Sequence, residues 1–283
     1  MKFGVREVAD VMLKAKTKGQ KVGNKVFEKG QPVCHFDSLK TSTVEGAATT
    51  VYATGGKGNP RLIAWEGERT LTFTMEDALI SKMGIAILTG AGLIEASSTK
   101  TLPKHIVETV IAAKSSEGDS IVLSVSETIA DVKATESDIW VGETDEDGNA
   151  TGIFVKGSNT GKTVTVAEGS EVTLEEGAAY IVDYYTEVSA GLTEIDIEPG
   201  KFGGNYYLEA STLFRNTSGK DMPAEFIIPN CKIQSNFTFT MASSGDPSTF
   251  TFTVDAFPGV TKHNPAKKVL AAIFVEEGST AGE

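Results

Sequence analysis

The chain has little of what catalytic and metal-binding chemistry is usually built from. Its 283 residues include only three histidines, His35, His105 and His263, far apart and in no HxxxH or HExxH spacing. The two cysteines, Cys34 and Cys231, belong to no CxxC. A zinc site is therefore not expected. Two distant thiols make no disulfide framework, so buried free thiols in a reducing compartment are the expectation. Adjacency does not make Cys34 and His35 a nucleophile and base, because neighbours on a strand face opposite ways. No GxSxG elbow occurs. Nothing points to an enzyme, and no cofactor is implied.

Long apolar runs are missing too. No eighteen consecutive apolar residues exist, so no membrane span is expected. Met1 to Glu7 has no apolar segment of the secretory kind, which predicts synthesis in the cytoplasm. The sequons at Asn149, Asn216 and Asn236 then read as chance matches. Proline is scarce, at 9 residues, and 40% of the chain is hydrophobic, which excludes disorder along its length. The length fits one large domain or two ordinary ones. Basic residues are outnumbered 26 to 38, giving a formal net charge of −12. Such a surface repels phosphate and argues against wrapping nucleic acid. The same sign suits a channel through which nucleic acid slides without sticking; solubility alone accounts for it equally well.

What is present is period-two alternation, the mark of strands with one buried face. Leu71–Met75, Phe237–Met241 and Phe250–Val254 each set large apolar groups on one side and threonines on the other. The turn-rich stretch 242–249 between the last two predicts one long hairpin over 232–257. A helix is predicted over Glu76–Leu88, with acidic residues at its start and Thr89-Gly90-Ala91-Gly92 stopping it. Ala9–Ala15 fits a helix or a strand, and the basic, glycine-bearing loop that follows favours the strand. Between about 103 and 188 short β-like runs are separated by acidic turns, predicting a compact β-sandwich or small barrel. This divides the chain into a main body over 1–100 and 191–275, an inserted or decorating β domain over 101–190, and a frayed polar tail over 276–283.

Several motifs fail on spacing. Gly157–Thr163 resembles a phosphate loop but has three residues between its glycines where four are needed, and Thr163–Val166 alternates as a strand. It reads as a hairpin turn. Gly90-Ala91-Gly92 lacks the third glycine of a dinucleotide fingerprint. Gly55–Pro60 reads as a flexible loop or tight turn. Asp145, Asp147 and Asn149 mimic the start of a calcium loop, but Ala150 replaces its glycine and Lys156 its glutamate. A solvated turn is expected there, with weak divalent binding at Asp138, Glu143, Asp145 and Asp147 left open.

Two segments carry a family resemblance. Gly56–Arg69 leads into Leu71–Ser81, and Ile228–Ser235 leads into Phe237–Met241 and then Gly245–Phe250. Together they resemble the major tail-tube and tail structural proteins of large tailed bacteriophages. The matching parts lie toward both ends and cover about half the chain. The resemblance implies a mainly β fold: a tail-tube-like β-sandwich or barrel with long hairpins and one packed helix, plus the inserted small β domain. It implies stacked, six-fold rings whose hairpins join into an inner barrel around a tape-measure protein, with DNA as non-specific transit cargo. A sheath protein is a further partner if the tail is contractile, and no membrane is involved. The location implied is the virion tail, after synthesis in the bacterial host. On this reading Thr72, Thr74, Thr238, Thr240, Thr251 and Thr253 face the lumen. Lys16, Lys18, Lys21, Lys25 and Lys29, with Lys57, Asn59 and Arg61, lie on loops reaching neighbouring subunits or the next ring. The rival readings are a capsid or baseplate component, and a carbohydrate-binding module using Tyr180, Tyr184, Tyr185, Tyr206 and Tyr207 as stacking surfaces.

Overall fold

The computed structural model describes residues 2–5, 7–116, 118–130, 138–238, 240–241, 243–244 and 249–276. The chain is mainly β, with one α-helix among the described residues. It divides into two units, one formed by Met1–Ile94 with Ile195–Glu283 and the other by Glu95–Glu194. The two connecting segments, Gly92–Glu95 and Thr193–Asp196, pair with each other.

The first unit is built on an antiparallel sheet. Its path runs Pro32–Phe36, Asp10–Ala15, Asn205–Asn216, Asp221–Ile233, Phe250–Ala256, Arg61–Asp77 and Leu39–Thr54. Phe3–Val5 adds to Asn205–Asn216, and Ala272–Val275 to Asp221–Ile233. Period two selects the buried face. Val11, Leu13 and Ala15 point inward, and the register sets them beside Ala210, Leu208 and Tyr206. Ile228, Cys231, Ile233, Val254, Phe252, Phe73 and Met75 extend the same core. The Phe36 ring meets Phe252 edge-on at 5.0 Å.

The helix is Lys82–Thr89, so the expected start at Glu76 is corrected. Glu76 and Asp77 finish a strand instead, paired with Thr251 and Phe250 on one side and Thr41 and Leu39 on the other. Ladder bonds on both sides outweigh the preference of acidic residues for a helix start. Ser81 caps the helix by accepting from the Gly84 N–H at 2.9 Å. Ala86, Ile87 and Leu88 bury its inner face in the core.

Gly90 ends the helix in the left-handed region, at φ 71°. A Cβ there would lie 2.5 Å from the Phe202 carbonyl carbon, so backbone packs directly on backbone. Gly219 has a similar φ, 81°, but open space around it. Gly90→Ala should therefore cost about 2–3 kcal/mol and Gly219→Ala about 1 kcal/mol, since only the first adds a clash to the backbone strain. Urea unfolding of the two variants checks the difference.

The hairpin expected over 232–257 is also corrected. Its strands pair only through Cys231–Ile233 and Val254–Ala256. The described residues of 237–241 form no strand. Phe237 and Met241 are both exposed, and Phe239 lies outside the described residues.

The second unit is a seven-stranded antiparallel sheet. Its path runs Ala113–Lys114, Ile121–Ser124, Thr163–Val166, Ala150–Thr160, Trp140–Thr144, Ala179–Val188 and Leu102–Ile111. Leu123, Val141, Val164, Val182 and Tyr184 fill its core. The Glu108 carboxylate, on Leu102–Ile111, accepts from the Ser126 N–H at 2.8 Å and the Tyr184 hydroxyl at 2.7 Å. Burial alone would raise its pKa. Those hydrogen bonds, the Ser126 hydroxyl and the Lys162 charge outweigh burial and hold it below the ordinary carboxylate range. A depressed pKa stabilises the fold above the unfolded value of about 4.3, and the contribution disappears as pH falls through the lower, folded value. Glu108→Gln should therefore flatten the acid-side decline in this unit's stability, read as unfolding midpoints at neutral and acid pH.

Candidate assembly surface

The longest element pair in the chain is a hairpin of Leu39–Thr54, 16 residues, and Arg61–Asp77, 17 residues. Where it joins the body it is three strands wide with Phe250–Ala256, and its two faces differ sharply. The inward face carries Ser42, Met75 and Phe252, then Val44, Phe73 and Val254. The outward face carries three rows: Thr41, Glu76 and Thr251; Thr43, Thr74 and Thr253; and Glu45, Thr72 and Asp255. Threonine is uncharged and favours strands, so these rows are polar, acidic and stiff. Asp255 accepts from the Gln234 side-chain amide at 3.0 Å.

Beyond Leu71 nearly every hairpin residue is exposed. A β-bulge bends it midway. Ala48 faces Arg69 and Thr50 faces Glu66, so Gly67 and Glu68 together oppose Thr49. The Glu68 N–H donates to the Thr49 hydroxyl at 2.9 Å. Position 67 requires glycine, because a Cβ would sit 2.4 Å from that oxygen. Past the bulge, Val51 pairs with Trp65 and Ala53 with Ile63. These residues continue the outward face of Thr41, Thr43 and Glu45, since alternate residues along one strand share a side. Val51, Ile63 and Trp65 are 62%, 55% and 53% exposed. An acidic threonine face thus becomes an apolar one toward the tip.

The two sheet edges are treated differently. Pro32–Phe36 is a short edge that starts with proline, a protected form. The other edge, Leu39–Thr54, has no pairing partner beyond Arg61–Asp77 among the described residues. From Thr41 to Thr54 it contains no lysine or proline, and Glu45 is its single charge. Over that stretch it carries neither of the two commonest edge guards, lysine and proline.

At the tip, Gly56, Gly58 and Asn59 adopt positive φ, and the Gly55 N–H donates to the Pro60 carbonyl at 3.2 Å. The Arg61 guanidinium stacks on the Tyr52 ring at 4.0 Å, so it is engaged within its own hairpin. Lys57 and Asn59 are exposed.

Of the predicted lumen residues, Thr72, Thr74, Thr251 and Thr253 share the outward face. Thr238 and Thr240 do not; they lie outside any strand. The basic loop contains a hairpin, Gln20–Val22 with Lys25–Phe27, turned by Gly23-Asn24. Lys18, Lys21, Lys25 and Lys29 are exposed. Lys16 is not available in the same way: it is half-buried, and its ammonium donates to the Pro229 carbonyl. Burial, then the Lys29 charge, lowers its pKa.

The remaining motifs offer no reactive centre. Burial pushes the Cys34 thiol up to about 11 and the Cys231 thiol up to about 12, so both are protonated at neutral pH. The Asp145 carboxylate closes its own turn, accepting from the N–H groups of Asp147 and Asn149. Among the described residues no three His, Cys, Asp or Glu side chains are grouped to hold a metal ion. Gly161-Lys162 is the turn between Ala150–Thr160 and Thr163–Val166, not a phosphate cradle. Tyr180, Tyr184 and Tyr206 are core residues, while Tyr185 and Tyr207 are half-buried. No helix among the described residues is long and apolar enough to cross a membrane.

A β body with a long projecting hairpin and an unblunted edge is the construction of a structural subunit. Residues 3–269 match the YomU/Tube protein family, and the chain belongs to that family of phage tube proteins. No curated protein matches the sequence.

The hairpin's exposure separates folding from assembly in a measurable way. Phe252→Ala should cost about 3–5 kcal/mol of unfolding free energy, since Phe252 is fully buried. Trp65→Ala should stay within about 0.5 kcal/mol in the dispersed chain, because its ring rests on no core. Denaturant unfolding at low protein concentration measures both.

Proposed function

We propose that this chain is the repeating subunit of a phage tail tube, assembling into rings that stack into a channel for DNA. The observation that carries the reading is the free edge of Leu39–Thr54 on a hairpin projecting beyond its own core. An isolated two-stranded ribbon is marginal in water, and an open edge is a template for another chain. Pairing of this edge with a strand of the next copy, repeated around an axis, closes the sheets into one wall and covers the long open edge. Six-fold closure follows the family resemblance.

In that wall the three threonine and carboxylate rows face the lumen. Glu45, Glu76 and Asp255 repel a passing phosphate backbone, and the threonines offer it no cation to grip. The apolar tip around Trp65 then packs on a neighbouring subunit. A tape-measure protein occupies the lumen before DNA, and the assembled tube belongs to the virion tail.

Negative-stain microscopy of the purified chain tests this. Rings or hollow tubes are expected at high concentration. Val51→Asp with Trp65→Asp should abolish them while leaving the far-UV circular dichroism of the dispersed chain unchanged. A wild-type chain that remains monomeric at every concentration, or a double variant that forms normal tubes, would overturn the reading.

A further inference from the structure

The two ends of the body are complementary. At one end, Glu7, Asp10, Glu225 and Glu276 rim a cavity of about 640 Å³. Val8, Leu213 and Phe274 also line it, each more than a third exposed. None of the four carboxylates has a hydrogen-bond or ion-pair partner among the described residues. Arg215, close by in sequence to Leu213, is committed to Asp221 by two hydrogen bonds.

At the other end stands the basic hairpin. Val22 and Phe27 anchor its inner side in the core. Lys21 pairs with Val26 across the two strands, so both belong to the opposite, outward side. Val26 is 60% exposed. Lys25 pairs with Val22 and so falls on the inner side, while Lys18, Lys25 and Lys29 are all exposed and Glu28 is the one acidic residue among them; no carboxylate pairs with any of these lysines among the described residues.

The two features lie at opposite ends of the same strands. Asp10, on the groove rim, begins Asp10–Ala15, and the lysine hairpin departs just after Ala15. On the neighbouring strand, Ser211 pairs with Asp10 while Tyr206 pairs with Ala15. Five strand steps put about 17 Å between them, too far for one molecule to close on itself. A second copy, translated along the strand direction, would bring the exposed lysines and Val26 to the carboxylate-lined groove, opposite charge to opposite charge.

We infer that the basic hairpin of one copy docks in the Glu7–Asp10–Glu225–Glu276 groove of the next, and that this is the ring-to-ring contact. The inference rests on the tube reading but names a contact separate from the hairpin edge. Because the contact is heterologous, it propagates as a filament instead of closing as a dimer.

The test is a charge swap in the full chain. One variant carries Lys21→Glu with Lys25→Glu; the other carries Glu225→Lys with Glu276→Lys. Each alone should lose stacked material in sedimentation and negative stain, because like charges then face each other. Mixing the two should restore stacking, since each variant's hairpin now matches the other's groove. Restoration on mixing also shows that both variants are folded. Tubes from either variant alone at wild-type yield, or a mixture no better than its parts, would overturn the docking while leaving wild-type tubes to support the broader reading. A wild-type chain that forms neither rings nor tubes would overturn both.

Discussion

The structure turns on a row of backbone groups. Leu39–Thr54 gives one side of its peptide hydrogen bonds to Arg61–Asp77 and leaves the other side open. Buried peptide groups must be paired, and exposed ones on a long, flat strand readily find another strand. Along 41–54 the chain has no lysine or proline to prevent this, and one glutamate is the only charge. It does protect the opposite edge, with a five-residue strand opening on Pro32. The asymmetry sets what the molecule can become: one edge invites pairing and the other discourages it.

The same hairpin divides its surface along its length. Near the body its inner face is part of the core, and its outer face is threonine and carboxylate. Toward the tip, both faces leave the core behind, and the outer one turns apolar at Val51, Ile63 and Trp65. The bulge at Gly67 and Glu68 marks that transition and bends the ribbon there. A single element thus carries a polar surface and an apolar one in series.

Part of this was legible in the residues. The alternation in Leu71–Met75 and Phe250–Val254 identifies two strands that do pair, and their threonines do share a face. The same alternation in Phe237–Met241 misleads, because a period-two pattern states what a strand would bury and not whether a partner is there. The body's most telling strand, Leu39–Thr54, was silent for the opposite reason. With Gly46, Ala47 and Ala48 at its middle and no buried face over most of its length, it shows no apolar alternation. The usable signals were its β-branched content and the Gly55–Pro60 turn set between two runs of similar length. The helix start was misplaced for a related reason: local charge preference at Glu76 and Asp77 lost to ladder bonds contributed by residues far away in sequence.

Charge distribution constrains assembly further than net charge does. A surplus of acid spread evenly would only keep copies apart. Here five lysines fall within residues 16–29, while four unpaired carboxylates rim a groove at the far end of the same strands. A two-fold contact through either end would set like against like and waste the complementary surface. Head-to-tail contact neutralises both ends of every copy except the first and last. On the proposed reading, lateral growth through the long edge and axial growth through opposite poles are independent directions, and a subunit that grows in both builds a tube wall.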